Sequence, residues 1–266
     1  MYFRLHNCPL MKKFIHDFTV TLNNTISADY FVLYLKSPET LPLIFPGQFA
    51  EVLVSNSTTT YLRRPFSIYD TDYKTNELSL LIKRVGDGTI ALSKLKQGDT
   101  LNLVYPLGNT FSMPSGEKAL LVGGGVGIAP MLLLAKHLKA KGFKPDVLIG
   151  GRSVNDIVEP EKYLSYGEVF ITTDDGSAGE IGMVTQHTVF SKKINEYSVI
   201  YACGPDPMMK VIAEYSSKNN IFCEVSLENL MGCGIGACLC CVVDTVRGNL
   251  CTCVDGPVFN TKDLKW

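Results

Sequence analysis

Nine cysteines stand in this 266-residue chain, and seven of them lie from Cys223 onward. Within that stretch Cys233, Cys238 and Cys241 follow a Cys-x4-Cys-x2-Cys spacing, and Cys251 or Cys253 can complete a set of four. Thiolates at this spacing are the ligand pattern of a plant-type [2Fe-2S] cluster, a carrier of single electrons. Gly234 and Gly236 fall between the first two ligands. A loop that wraps an anionic cluster must turn backbone N–H groups toward sulfur, and glycine supplies the positive φ that this requires. Spacing alone leaves Cys240 open as a substitute for Cys241, and Cys251 as a substitute for Cys253. Zinc fits less well, because only 238 and 241 form a Cys-x2-Cys pair, and the later two cysteines are one residue apart. A disulfide framework fits poorly with an odd cysteine count and no secretory signal at the start of the chain.

Three further groups could bind phosphate. Gly123, Gly124, Gly125 and Gly127, followed by Pro130, sit between an apolar strand-like stretch and a helical one. A glycine turn there lets backbone approach a pyrophosphate whose charge rests on a helix N-terminus, although Ile128 occupies the third glycine position of the usual fingerprint. The same glycines would also serve a plain tight turn. Cys203, Gly204 and Pro205 lie at another strand end, where open α/β sheets bind ligands. The bland reading is a capped helix start, with Asp206 as N-cap and Pro207 in the first turn. Arg63 and Arg64, next to Pro65, Phe66 and Ser67, could present guanidinium forks to phosphate, or could lie on a solvated strand edge. Residues 86–89 read as a turn or as a second phosphate-contacting segment.

These groups require elements to carry them. Short apolar or alternating runs at 20–22, 30–35, 49–54, 65–69, 78–84 and 100–104, separated by turn residues, predict an antiparallel barrel. Beyond Met113 the pattern changes. Strands at 118–122, 146–149, 169–173 and 198–202 alternate with helices at 130–141 and 206–217, which predicts a parallel sheet covered by helices. The expected fold class is therefore multidomain β plus α/β. An N-terminal antiparallel barrel occupies 1–113, a parallel-sheet domain 114–221 and a small cysteine module 222–266. Residues 119–135 are uncharged and almost wholly apolar, near the length of a membrane span. The glycines and Pro130 within them predict strand, turn and helix instead. A net charge of −1 gives no ground for nucleic-acid binding, and four histidines leave little for histidine-based chemistry.

Together and in this order, the motifs resemble the ferredoxin–NADP reductase superfamily. The stretch from Glu228 through Cys241, and the run from Cys253 to Phe259, resemble the electron-transfer subunits of NAD-dependent, two-subunit dihydroorotate dehydrogenases. The resemblance covers about residues 11–262. It implies FAD held by Arg64, Pro65, Phe66 and Ser67, by Leu81, Ile82 and Lys83, and by Gly88 and Thr89. It implies NAD, the electron acceptor, at Gly123, Gly124, Gly125, Gly127, Cys203, Gly204 and Pro205, with a loop at 174–177 nearby. It implies a [2Fe-2S] cluster on Cys233, Cys238, Cys241 and Cys253, because the family's fourth ligand precedes an acidic-Gly-Pro step. It further implies an FMN-containing catalytic partner in a heterotetramer of two subunits each, located in the cytoplasm, and no catalytic residue in this chain. Because a cluster must lie near its electron donor, Ala237, Leu239 and Cys240 are expected near that partner, or else packed only against the flavin domain.

Two departures stand out. Cys240 replaces a small residue usual in the family, and the chain starts about ten residues early, with Met11 as an alternative start. No acidic residue ends the second parallel strand. Arg152 stands there and could suit a 2′-phosphate, while the resemblance favours NAD. The alternative functions are a flavin and iron–sulfur subunit of a ferredoxin–NADP oxidoreductase or sulfide dehydrogenase and, from another class, a redox-sensing or zinc-binding module without flavin.

Overall fold

The computed structural model describes residues 12–55 and 57–266. The alternative start at Met11 lies outside them. The first sheet is antiparallel and contains β1 (Phe14–Thr25), β2 (Tyr30–Lys36), β3 (Phe49–Val52), β4 (Arg64–Ser67), β5 (Asp70–Asp72), β6 (Glu77–Lys83) and β7 (Thr100–Leu107). Its order is β4-β3-β7-β1-β2-β6-β5, and it curls so that β4 lies against β6. Phe18, Val20, Leu33, Val52, Ile82 and Leu103 fill its interior. A short helix, α1 (Asp87–Leu92), follows β6. The expected turn at 86–89 is therefore the start of a helix: Thr89 Oγ1 accepts the Val85 and Gly86 N–H groups at 2.8 and 3.1 Å and closes its first turn.

The second sheet begins with β8 (Lys118–Gly124), a 3-10 turn at Gly125–Ile128 and α2 (Ala129–Ala140). This is the strand, turn and helix expected of the apolar stretch, and among the described residues no helix is long and apolar enough to cross a membrane. Further strands are β9 (Lys144–Gly151), β10 (Val169–Thr173), β11 (Glu180–Ile181) and β12 (Val199–Cys203), with a four-residue helix α3 (Val189–Lys192) and then α4 (Asp206–Lys218). Continuous apolar strands such as β8 are buried on both faces, as parallel strands under helices must be. The N-cap of α4 is Pro205, so Asp206 is already helical rather than the expected cap.

The cysteine region does not stand apart. β13 (Phe222–Ser226) pairs parallel with β12, and β16 (Val258–Asn260) adds an antiparallel edge, giving the order β11-β10-β9-β8-β12-β13-β16. Only β14 (Val242–Thr245) and β15 (Gly248–Cys251) form a hairpin of their own. One apolar cluster joins the two large sheets: Tyr30, Val32, Tyr69 and Leu81 from the first pack with Ile128, Met131, Leu132 and Ala135 from the second. Burying apolar surface across the seam holds the two halves as one body.

Candidate functional site

The cysteine loops, 227–241 and 252–257, fold back onto the first sheet. Cys241, Cys251 and Cys253 are buried in one apolar cluster with Phe49, Val104, Leu107 and Met231. Gly234, at φ +68°, presses so closely that a Cβ there would lie 2.7 Å from Glu51 Cγ. Backbone amides point at sulfur throughout. Ala237 and Cys238 N–H approach Cys233 Sγ at 3.3 and 3.4 Å, Gly236 N–H approaches Cys253 Sγ at 3.2 Å, and Cys253 N–H approaches Cys241 Sγ at 3.4 Å. The Ile235 amide, at 3.5 Å, leads those of Cys238 and Ala237 in bringing the Cys233 thiol down to about 6. Burial, followed by the neighbouring Cys241, pushes Cys253 up to about 12. Backbone donors aimed at cysteine sulfurs stabilise the thiolate form that cluster ligation needs, so these loops suit an iron–sulfur cluster. Cys240 is exposed and Leu239 beside it has φ +57°.

A cleft of about 770 Å³ runs along the rim of the first sheet. Arg64, Pro65, Phe66, Ser67, Leu81, Lys83, Gly88 and Thr89 all line it, with Thr59 and Thr60 from a loop that sequence reasoning passed over. Ile82 does not. Strand side chains alternate, so Leu81 and Lys83 face the cleft while Ile82 is wholly buried in the sheet interior. The arginine pair also divides. Arg63 donates to the Glu51 and Asn102 carbonyls, each at 3.2 Å, whereas Arg64 faces the cleft. Phe49 belongs both to this lining and to the cysteine cluster.

A second cleft, about 880 Å³, opens at the C-terminal ends of the parallel strands. Gly124, Gly125, Gly127, Gly204 and Pro205 line it, together with Arg152 and Asp174, while Cys203 lines the first cleft. Gly123 lines neither; a Cβ there would lie 2.6 Å from Ile128 Cα, so it serves the tight turn. Lys83, Val126, Gly127 and Glu228 line both clefts and form their common wall. Surrounding atoms desolvate the Glu228 carboxyl and, with Asp206, push its pKa up. Two adjoining clefts of this size, one on a β-barrel rim and one at a strand-end switch point, fit a flavin beside a dinucleotide.

Fold and site together define a flavin- and iron–sulfur-dependent oxidoreductase of the ferredoxin–NADP reductase type. Family models match an oxidoreductase FAD-binding domain at 17–111, an oxidoreductase NAD-binding domain at 121–214 and the iron–sulfur cluster binding domain of dihydroorotate dehydrogenase B at 228–265. The chain belongs to the family of dihydroorotate dehydrogenase B (NAD(+)) electron transfer subunits. It is 42% identical to the member from Caldanaerobacter subterraneus subsp. tengcongensis over 82% of this chain and 86% of that one. It is 36% identical to that of Bacillus velezensis over 92% and 97%. Among solved structures it is similar to an NADH-dependent reduced ferredoxin–NADP oxidoreductase described for flavin-based electron bifurcation. There the TM-score is 0.84 and the identity 31%, over 94% of this chain and 90% of that one.

Proposed function

We propose that this chain is the electron-relay subunit of an NAD-dependent dihydroorotate dehydrogenase, working in the cytoplasm in pyrimidine biosynthesis. It takes electrons from an FMN-bearing catalytic partner in a heterotetramer of two subunits each and passes them to NAD+. The observation that carries this reading is spatial order: the cysteine loops pack on Phe49, Phe49 lines the first cleft, and that cleft shares a wall with the second. When bound, the cluster supplies single-electron steps and FAD converts them to the two-electron exchange with NAD.

The chain's own residues bind and orient. Cys233, Cys238, Cys241 and Cys253 hold the cluster, and the amides at 236–238 stabilise its sulfur ligands. Arg64 pairs with the FAD pyrophosphate, Ser67 and Thr89 line its path, and the turn from Gly124 to Gly127 with Gly204 and Pro205 receives the dinucleotide. Functionally, 1–113 serves the flavin, 114–221 the dinucleotide and 222–266 the cluster, although 222–226 is also a strand of the second sheet. The exposed Ala237, Leu239 and Cys240 face the partner.

The test is co-expression with the catalytic subunit, flavin identification by chromatography and an assay of NADH formation from dihydroorotate. FMN together with FAD and dihydroorotate-dependent NADH support the reading; FAD and iron without that activity sink it. A second reading rests on the 31% identity to the ferredoxin–NADP oxidoreductase structure: the same relay coupled to a partner with further flavin and [4Fe-4S] clusters. In that case reduced ferredoxin, and not dihydroorotate, would drive the chain.

A further inference from the structure

Lys83 comes from the flavin sheet, yet it stands in the wall common to both clefts. Its Nζ lies 2.9 Å from Oδ1 of Asp156, a residue of the turn after β9 on the other side of the seam. The same oxygen accepts the Tyr30 hydroxyl at 2.7 Å. Oδ2 accepts the Arg152 N–H at 3.1 Å, with Arg152 Nε at 3.7 Å. Asp156 is 7% exposed, and a Cβ on Gly151 would fall 2.6 Å from its own Cβ, so the carboxylate is built in rather than draped over the surface. Lys83 Nζ also sits 4.9 Å over the Tyr30 ring, which fixes the ammonium from a second direction. One buried carboxylate thus ties two side chains of the flavin half to the backbone of Arg152 in the dinucleotide cleft. Buried charges held by several hydrogen bonds have few alternative geometries.

We propose that Asp156 is a positioning residue for hydride transfer: by gripping Lys83, Tyr30 and Arg152 at once, it sets how the flavin cleft and the dinucleotide cleft face each other. This rests on the proposed occupancy of the clefts by FAD and NAD. In the step it serves, one hydride, carrying two electrons and one proton, passes between flavin and dinucleotide; Asp156 neither gains nor loses a proton. A second strut crosses the seam away from both clefts. Tyr69 donates to Glu159 Oε2 at 3.0 Å, and Lys162 pairs with the same oxygen at 2.9 Å. It provides a control for a purely structural role.

The experiment loads the full chain with FAD and cluster and mixes it with saturating NADH in a stopped-flow spectrometer. For Asp156→Asn, flavin reduction is expected to slow about 30-fold or more, since misplacement by about 1 Å can cost that much. The long-wavelength charge-transfer absorbance between flavin and nicotinamide should vanish, while FAD content and the Kd for NAD+ stay within about threefold. Glu159→Gln should keep both the rate and the band. Tyr30→Phe, which removes one donor without changing volume, should slow reduction several-fold and covers the case in which Asp156→Asn does not fold. An unchanged rate and band in Asp156→Asn, or in Tyr30→Phe alone where the first variant does not fold, overturns the inference, as does an equal loss in Glu159→Gln. Wild-type chain that NADH cannot reduce would overturn the proposed function, and this inference with it.

Discussion

At the scale of single residues, the proposed choice of Cys253 over Cys251 as the fourth ligand is supported by the backbone bonds around each. Cys253 Sγ faces the Gly236 amide and its own N–H faces Cys241 Sγ, whereas the Cys251 N–H is spent on Asp255 Oδ2 at 2.7 Å. Cys253→Ser should lose iron and visible absorption, and Cys251→Ser should keep them; iron content and electron paramagnetic resonance decide, and the reverse pattern refutes the assignment. Glu51 is a different case. It is wholly buried, and neither carboxyl oxygen has a hydrogen-bond partner among the described residues. Burial pushes it up to about 7, against the opposing pull of Arg63 and with Cys233 adding to the rise. A folded pKa above the unfolded value of about 4.3 means that the stabilising contribution is complete below that value and is lost as pH rises through about 7. Glu51→Gln should therefore match wild type near pH 4 and exceed it at pH 8, by up to on the order of 3 kcal/mol. Thermal unfolding of the loaded protein at both pH values checks this, and an equal difference at the two would rule it out.

At the scale of elements, glycine positions reflect packing as much as ligand binding. A Cβ on Gly127 would lie 2.3 Å from the Cys203 carbonyl oxygen, so the turn after β8 and the loop after β12 can meet only without a side chain there. Gly127→Ala should force these loops apart. Dinucleotide affinity is expected to fall at least about tenfold, because the cleft wall they form would shift by a sizeable fraction of an ångström. Titration of the oxidised protein with NAD+ reads this, and unaltered affinity would show that the turn yields without cost. Periodicity and turn residues made the main strands and both long helices legible in the sequence. They did not reveal α1, because Gly86 caps a six-residue helix with Gly88 in its first turn, and the Thr89 hydroxyl closes that turn. Ile82 was grouped with Leu81 and Lys83 by a motif, yet the two-residue period of β6 sends it to the opposite face.

At the scale of the whole molecule, the seam between the sheets is both apolar and polar. Besides the shared core, Lys136 pairs with Asp70 at 2.8 Å, and Glu159 gathers Tyr69 and Lys162, which in turn reaches the Tyr34 hydroxyl at 3.1 Å. Burial opposes the charge on Lys162, but Glu159 and Tyr34 outweigh it and raise its pKa. Removing the Glu159 charge strands a part-buried ammonium. Glu159→Gln should cost about 1–3 kcal/mol and lower the midpoint of thermal unfolding by about 3–10 °C. An unchanged midpoint would mean that the apolar core alone holds the seam.

By itself the sequence determined the chemistry: cysteine spacing implied a cluster, glycine-rich strand ends implied a dinucleotide, and the order of strand types implied a barrel before a parallel sheet. These are local signals, written in residues close along the chain. Tertiary structure alone decided what meets what. Asp156 carries no motif and acts only because the chain brings Tyr30 and Lys83 to it across 126 and 73 residues. Glu51 becomes unusual only because the Gly234 loop closes over it, and the cysteine region becomes part of the second sheet only because β13 finds an open edge on β12. Long-range pairing is set by burial and shape complementarity summed over the whole fold, and no short stretch of residues contains that sum.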